Sequence, residues 1–200
     1  QLYRRADLTA VVTESFRKRL ANRGVSAEKI AVLPHAVDLN LFRPQATSKE
    51  LAARLSASPD AFVVGYLGTL GIAHGLETIL EAAAHVASEN VIWLLVGEGA
   101  EKTKLIARAQ RLGLRNVQFL PSQPHAEISA YLALCSAVVV PLRPHPLFET
   151  VLPSKLFEAM ACARPVIVGI EGEARRLVER AGAGLCVRPG SAAELADAVR

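Results

Sequence analysis

"FVVGYLGTLGIAHGLETILEAAAHVASENVIWLLVGEG" occupies residues 62–99. It opens on a short apolar, β-branched run, "FVVGYL", and passes through a glycine-spaced turn. Across 75–88, Leu76, Ile79, Leu80, Ala83 and Val86 then recur at the spacing of a helix with one apolar face. "VIWLLV" (91–96) is apolar without alternation, the pattern of a parallel strand covered on both faces. Strand, helix and strand in that order make one βαβ unit.

The same alternation continues to the end of the chain. A helix is expected at 101–112, with Leu105, Ala109 and Leu112 on one side. "VQFL" (117–120), a helix near 125–134, "AVVVP" (137–141) and a helix near 154–162 follow. "PVIVG" (165–169), a helix near 173–181, "LCV" (185–187) and a last helix begun by "SAAELADAV" complete the series. Six short strands, each followed by a helix, predict an α/β fold with a doubly wound, Rossmann-like parallel sheet. Ligands of such sheets bind beyond the carboxyl ends of the strands. That places interest on loops 68–74, 97–100, 121–124, 142–153 and 170–173.

Residues 1–60 depart from this repeat. "TAVVT" (9–13) and "IAVL" (30–33) read as strands around a basic helix, a strand-helix-strand stub. The Pro-, Ser- and Asp-bearing stretch that follows reads as a connection into the main domain. The expected division is 1–44, 45–60 (linker with a helix) and 61–200.

Composition narrows the function classes. Of 200 residues, 51% are hydrophobic and 21% charged, which describes an ordered globular chain. A net charge of +4 mildly favours an anionic ligand or an acidic membrane surface. Arg17, Lys18, Arg19 and Arg23 cluster on the early helix. A solvated helix face is the plain reading, and a contact with anionic lipid or a partner domain is the sharper one. Cys135, Cys162 and Cys186 form no CxxC pair and read as small buried hydrophobes in a reducing compartment. No apolar run reaches the length of a membrane span, and the first residues lack a signal-peptide layout. The expected location is the cytoplasm, with peripheral contact at the inner face of the membrane as a further option.

Two stretches carry candidate chemistry. In "PSKLFEAM" (153–160) the start of a helix offers unsatisfied N–H groups and a partial positive charge. Ser154 is able to cap it and Lys155 adds a full charge. Glu158 lies one turn on, suited to the two hydroxyls of a ribose. It stands four residues after Ser154, so a capping box does not account for it. In "GYLGTLGIAHG" (65–75), Gly68 and Gly71 follow a strand and let backbone approach a phosphate. An ordinary turn is the alternative. His74 stands ready to donate to a phosphate oxygen or serves structure alone. Gly97 and Gly99 follow the next strand, but Lys102 stands where a dinucleotide fingerprint requires glycine. The five histidines show no metal-ligand spacing, and Asp occurs only at 7, 38, 60 and 197, so no DxD pair exists. No metal and no cofactor are expected, and there is no GxSxG elbow.

These stretches, taken together, resemble the C-terminal half of a GT-B fold, retaining glycosyltransferase of family four, the group 1 glycosyltransferases. The likeness runs through "KIAVLPHAVDLNLFRP", "VGYLGTLGIAHGLETILEAA", "LLVGEGAEKTKL" and "NVQFLPSQPHAEISAYLALCSAVVVPL". It ends in "PSKLFEAMACARPVIVGIEGEARRLVERAGAGLCVRPGSAAELADAV". The variant is similar to bacterial surface-polysaccharide transferases. His35-Ala36 stand where the family usually has Asn-Gly. Of the family's two glutamates separated by seven residues, Glu158 matches the second, the ribose ligand. Thr150 takes the place of the first, and Glu149 is one residue out of register. Thr69 and His74 stand where an Arg and a Lys commonly hold diphosphate, and Lys155 with Arg143 is the expected replacement.

The resemblance implies a nucleotide-sugar donor, most readily UDP-linked. It places the base against Pro121 and Ser122 and the ribose on Glu158. Diphosphate falls on the 153–156 helix start and Gly68–Gly71, and the sugar on the loop of His145 and Phe148. It implies metal-independent transfer of a hexosyl or N-acetylhexosaminyl group, with retention, to a lipid-linked or polysaccharide acceptor, and no nucleic-acid partner. Residues 1–44 become the remnant of an acceptor domain, the chain a donor-binding fragment cut at its C-terminus and inactive alone. A non-catalytic nucleotide-binding module, with Thr150 marking a decayed site, and a GT-B fold sugar-nucleotide epimerase are the alternatives.

Overall fold

The computed structural model describes residues 2–55, 58 and 60–200. The chain begins with a short helix, α1 (Leu2–Arg5), then β1 (Thr9–Val11), α2 (Glu14–Asn22) and β2 (Ile30–Val32). β1 and β2 pair in parallel, Thr9 opposite Ile30, with α2 crossing between them. Leu20, Val25 and Ile30 form the small core of this unit. Both strands are shorter than their apolar runs predict, and α1 had no periodic signal. The connection carries α3 (Lys49–Ala53), capped by Ser48, whose hydroxyl accepts from the Leu51 amide. The expected linker of 45–60 therefore contains its helix, while positions 56, 57 and 59 lie outside the described residues.

The main domain follows as β3 (Phe62–Leu67), α4 (Glu77–His85), β4 (Val91–Val96), α5 (Lys102–Arg111) and β5 (Val117–Leu120). It continues through α6 (Ile128–Leu134), β6 (Ala137–Pro141), α7 (Ser154–Ala161), β7 (Val166–Gly169), α8 (Glu173–Ala181), β8 (Gly184–Cys186) and α9 (Ala192–Asp197). Two expected helices open with a separate 3₁₀ turn, at Ile72–His74 and His125–Glu127.

The six strands lie in the order β5-β4-β3-β6-β7-β8, all parallel. Winding reverses between β3 and β6, the point at which such sheets open a crevice. The pairing itself shows the opening. β3 pairs with β4 along its full length, but with β6 only at Val64–Ala137 and Gly65–Val138. Beyond Gly65 the two strands part.

Period-two alternation divides the core between the faces. Val63, Leu67, Leu94, Val138, Val140 and Val168 pack with Leu156 and Ala159 of α7 and Val178 of α8 on one face. Val64, Tyr66, Trp93, Leu95, Val139 and Ile167 pack with α4, α5 and α9 on the other. α7 and Tyr66 therefore belong to opposite faces of the sheet.

Candidate functional site

The site begins with α7. Pro153, at φ −63°, occupies the cap position and makes no side-chain cap; Ser154 is the first helical residue. Ser154 is thus exposed and not the cap that the sequence allowed, because the chain enters the helix one residue earlier in register. The Leu156 amide turns back on the Pro153 carbonyl at 3.1 Å. Among the described residues, the amides of Ser154 and Lys155 donate to no protein acceptor. They form the positive end of the helix and are free for an anion.

Lys155 leaves this helix toward the other face. Its Nζ reaches the Tyr66 hydroxyl at 3.1 Å and lies 4.3 Å from the centre of the Tyr66 ring. The path runs past Gly68, where a Cβ would stand 2.8 Å from Nζ, at a backbone φ of +140°. Glycine at this position leaves the gap through which the ammonium crosses the carboxyl end of β3. Burial lowers the Lys155 pKa from 10.5 to about 8, against the opposing pull of Glu158. Glu158 lies one turn farther along α7, half-buried, with no side-chain hydrogen bond among the described residues.

The glycine loop stands beside the ammonium. The Tyr66 hydroxyl donates to the Thr69 carbonyl at 2.6 Å, fixing the loop where Thr69 is exposed. His74 Nδ1 lies 3.3 Å from the Gly71 carbonyl, and its ring meets Tyr66 edge-on at 5.9 Å. Burial, with the Lys155 charge beside it, lowers the His74 pKa, so the ring is neutral near pH 7. With Nδ1–H donating to Gly71, Nε2 is an acceptor. Donation to phosphate from His74 would require the imidazolium form.

The loop after β6 borders a second space. Its second residue, Arg143, donates its amide to the Ala73 carbonyl at 2.9 Å and brings its guanidinium within 3.5 Å of Glu77. A cleft of about 330 Å³ is lined by Arg143, His145, Phe148, Glu149, Ile170 and Glu171 among others. It draws on the loops after β6, β7 and β8 and takes no residue from the glycine loop. Among the described residues no group of three metal-ligating side chains occurs, and no helix is long and apolar enough to cross a membrane.

A helix start, a part-buried lysine and a glycine loop thus meet at the switch point of a Rossmann-like sheet. Residues 48–200 match the family model of the glycosyl transferases group 1. The chain belongs to that family. It is 30% identical over 201 residues to the provisionally named colanic acid biosynthesis glycosyl transferase WcaI of Escherichia coli (strain K12), covering 97% of this chain and 49% of that protein. A D-inositol 3-phosphate glycosyltransferase of Segniliparus rotundus is 32% identical over 152 residues, 72% of this chain and 32% of its own length. The chain therefore spans half or less of these curated relatives. Among solved structures, Anabaena Alr3699/HepE in complex with UDP-glucose aligns at a TM-score of 0.82 and 28% identity, over 99% of this chain and 54% of that one.

Within this group 1 glycosyl transferase, Thr150 is a structural residue where the family resemblance expects a carboxylate. Its hydroxyl donates to the Leu147 carbonyl at 2.7 Å, and its own carbonyl accepts from the Thr13 hydroxyl at 2.8 Å. Glu149 is exposed and lines the cleft. Pro121 and Ser122 are exposed directly after β5, and Gln123 donates to the Pro121 carbonyl at 2.9 Å.

Four contributors had no reading as site residues in the sequence. Tyr66 looks like an ordinary strand aromatic. Lys102 looks like a failed glycine, yet its ammonium reaches the carbonyls of Gly97 (3.0 Å) and Leu120 (3.3 Å) and the Glu98 carboxylate (2.6 Å). Gly97 and Gly99 serve close packing: a Cβ on either would run into the carbonyl of Gly68 or Leu70. The Gly68 amide donates to the Val96 carbonyl at 2.9 Å and the Leu70 amide to the Glu98 carbonyl at 2.8 Å. The second glycine loop is the floor of the first.

Proposed function

We propose that this chain is the donor-binding half of a glycosyltransferase that takes its sugar from a UDP-sugar. The observation that carries the reading is the meeting of the Lys155 ammonium, the free amides of Ser154 and Lys155, and Gly68 at the β3–β6 crevice, with Glu158 one turn away. A diphosphate fits this arrangement: fixed N–H dipoles and one cation face one anion. Glu158 suits the ribose hydroxyls, and the backbone at Pro121 and Ser122 suits the base. The uridine assignment is supported by the UDP-glucose complex of the Anabaena relative. Arg143, Thr69, Gly71 and His74 border the diphosphate, and Thr150 holds the loop of the adjoining cleft, where the hexosyl or N-acetylhexosaminyl group lies.

In the reaction the bond from the anomeric carbon to the diphosphate oxygen breaks. An acceptor hydroxyl bonds to that carbon on the same face, with retention, and its proton passes to the departing diphosphate. Negative charge grows on the departing diphosphate, and dipoles already aimed at it lower the barrier without reorganising. No metal is required, since the helix end and Lys155 carry the compensating charge. The acceptor is lipid-linked or a polysaccharide, held mainly by a further domain, and the working place is the cytoplasm, at or near the membrane. The chain alone binds donor and transfers nothing.

Calorimetric titration with UDP, GDP, ADP and uridine tests this reading. UDP should bind more tightly than the other nucleotides. Lys155→Ala should weaken UDP by about tenfold or more while leaving uridine within about twofold. Equal weakening of both would remove the diphosphate assignment. The substitution of Thr150 for a carboxylate favours one second reading, a nucleotide-binding module without turnover. Release of UDP from a UDP-sugar by the full-length protein with acceptor would exclude it.

A further inference from the structure

Tyr66 takes no part in the reading above, yet its one hydroxyl joins the cation to the loop of the diphosphate site. It is fully buried on the α4 side of β3, while Lys155 arrives from the α7 side. Its hydroxyl has two jobs at once. The proton goes to the Thr69 carbonyl at 2.6 Å, and a lone pair accepts from Lys155 Nζ at 3.1 Å. Because the Thr69 carbonyl can only accept and an ammonium can only donate, the direction of both bonds is fixed. The ring lies 4.3 Å from the same ammonium and adds the attraction of its π face.

We infer that Tyr66 is a positioning residue that holds the Lys155 ammonium and the 68–71 loop in a single geometry, so that the cation of the diphosphate site is set before ligand arrives. The inference rests on the donor-site reading for its consequence in binding, but the geometry it concerns is that of the free chain. Without the hydroxyl, Lys155 would retain the Tyr66 ring and lose the acceptor that fixes its end. The loop would lose the bond that turns the Thr69 carbonyl inward. Burial already works against the charge of Lys155, so each favourable partner matters. The groups facing its ammonium are the Tyr66 hydroxyl and ring, the His74 ring, and the Glu158 carboxylate on its own helix. Tyr66 itself stays protonated, since burial drives its pKa well above the ordinary phenol range.

The test is the variant Tyr66→Phe, which keeps the ring and removes one oxygen. The ionisation of Lys155 is followed in the free chain by NMR of ¹³Cε-labelled lysine, the Lys155 signal being the one missing from Lys155→Arg. In the unsubstituted chain the midpoint is expected at about 8. In Tyr66→Phe it should fall by about half a unit or more, UDP affinity should drop about tenfold, and uridine affinity should stay within about twofold. An unchanged midpoint overturns the inference, whatever UDP does. If the unsubstituted chain fails to bind UDP while the midpoint still moves, the donor reading falls and the positioning role stands. Should Tyr66→Phe fail to fold, replacing the three tyrosines with 3,5-difluorotyrosine makes the phenol oxygen a poorer acceptor. The Lys155 midpoint must then fall in the same direction, and a fixed midpoint again overturns the role.

Discussion

A lysine kept from water is a lysine that gives up its proton early. The folded chain releases the Lys155 proton near pH 8, while the unfolded chain holds it to about 10.5. Between those values the unfolded state binds more protons, so stability of the ligand-free chain should rise with pH across this window, as urea denaturation at pH 7.5, 9 and 10 would record. Diphosphate binding should move the other way. It needs the ammonium, so UDP affinity should fall as pH passes upward through about 8, and binding near that pH should draw in protons. Calorimetry in buffers of different ionisation enthalpy measures that uptake directly. Gly97 offers a second test at this scale. A methyl there meets the Gly68 carbonyl at a φ of +153°, so Gly97→Ala should cost about 2 kcal/mol or more in denaturant unfolding and loosen the glycine loop above it.

At the scale of elements, α5 reaches beyond its own packing through Lys102. Its ammonium ties the end of β4 to the end of β5, where the chain emerges as Pro121 and Ser122. Lys102→Met keeps the stem and deletes the tie. It should weaken UDP and uridine by the same factor, about threefold to tenfold, in contrast to Lys155→Ala, and competition binding with the two ligands separates the cases. The elements themselves were largely legible. Apolar runs at 62–67, 91–96 and 137–141 coincide with β3, β4 and β6, because a strand covered on both faces needs little but apolar residues. Glu158 and Lys155 were legible as a pair because residues three apart lie on one side of a helix. The Tyr66–Lys155 contact was not, because 89 positions separate the partners and no local pattern encodes a meeting across two faces of a sheet. Lys102 was read as a missing glycine for the same reason: its targets lie on two other segments. α1 and the 3₁₀ turns escaped because three or four residues carry no measurable period.

At the scale of the whole molecule, the small β1–β2 unit is fastened to the main domain. The Thr13 hydroxyl, which caps α2, donates to the Thr150 carbonyl at 2.8 Å. The Ser15 amide, at 3.2 Å, and the Ser15 hydroxyl both donate to the Glu173 carboxylate at the start of α8. Burial pushes the Glu173 carboxyl up, but the bonds from Ser15 and Arg176 outweigh it and hold the pKa below the usual range. A depressed carboxylate stabilises the fold above its unfolded pKa, and that contribution is lost as pH falls through the folded one. Acid should therefore loosen this junction. Glu173→Gln should remove that part of the acid sensitivity, and hydrogen exchange of the Ser15 amide at pH 3 and 6 would show it. Phe148 and Glu149 line the cleft, and Thr150, the next residue, hangs from Thr13. A partner that swivels residues 9–32 must drag that wall along or snap the threonine tether, so the shape of the cleft is geared to the orientation of whatever those residues carry.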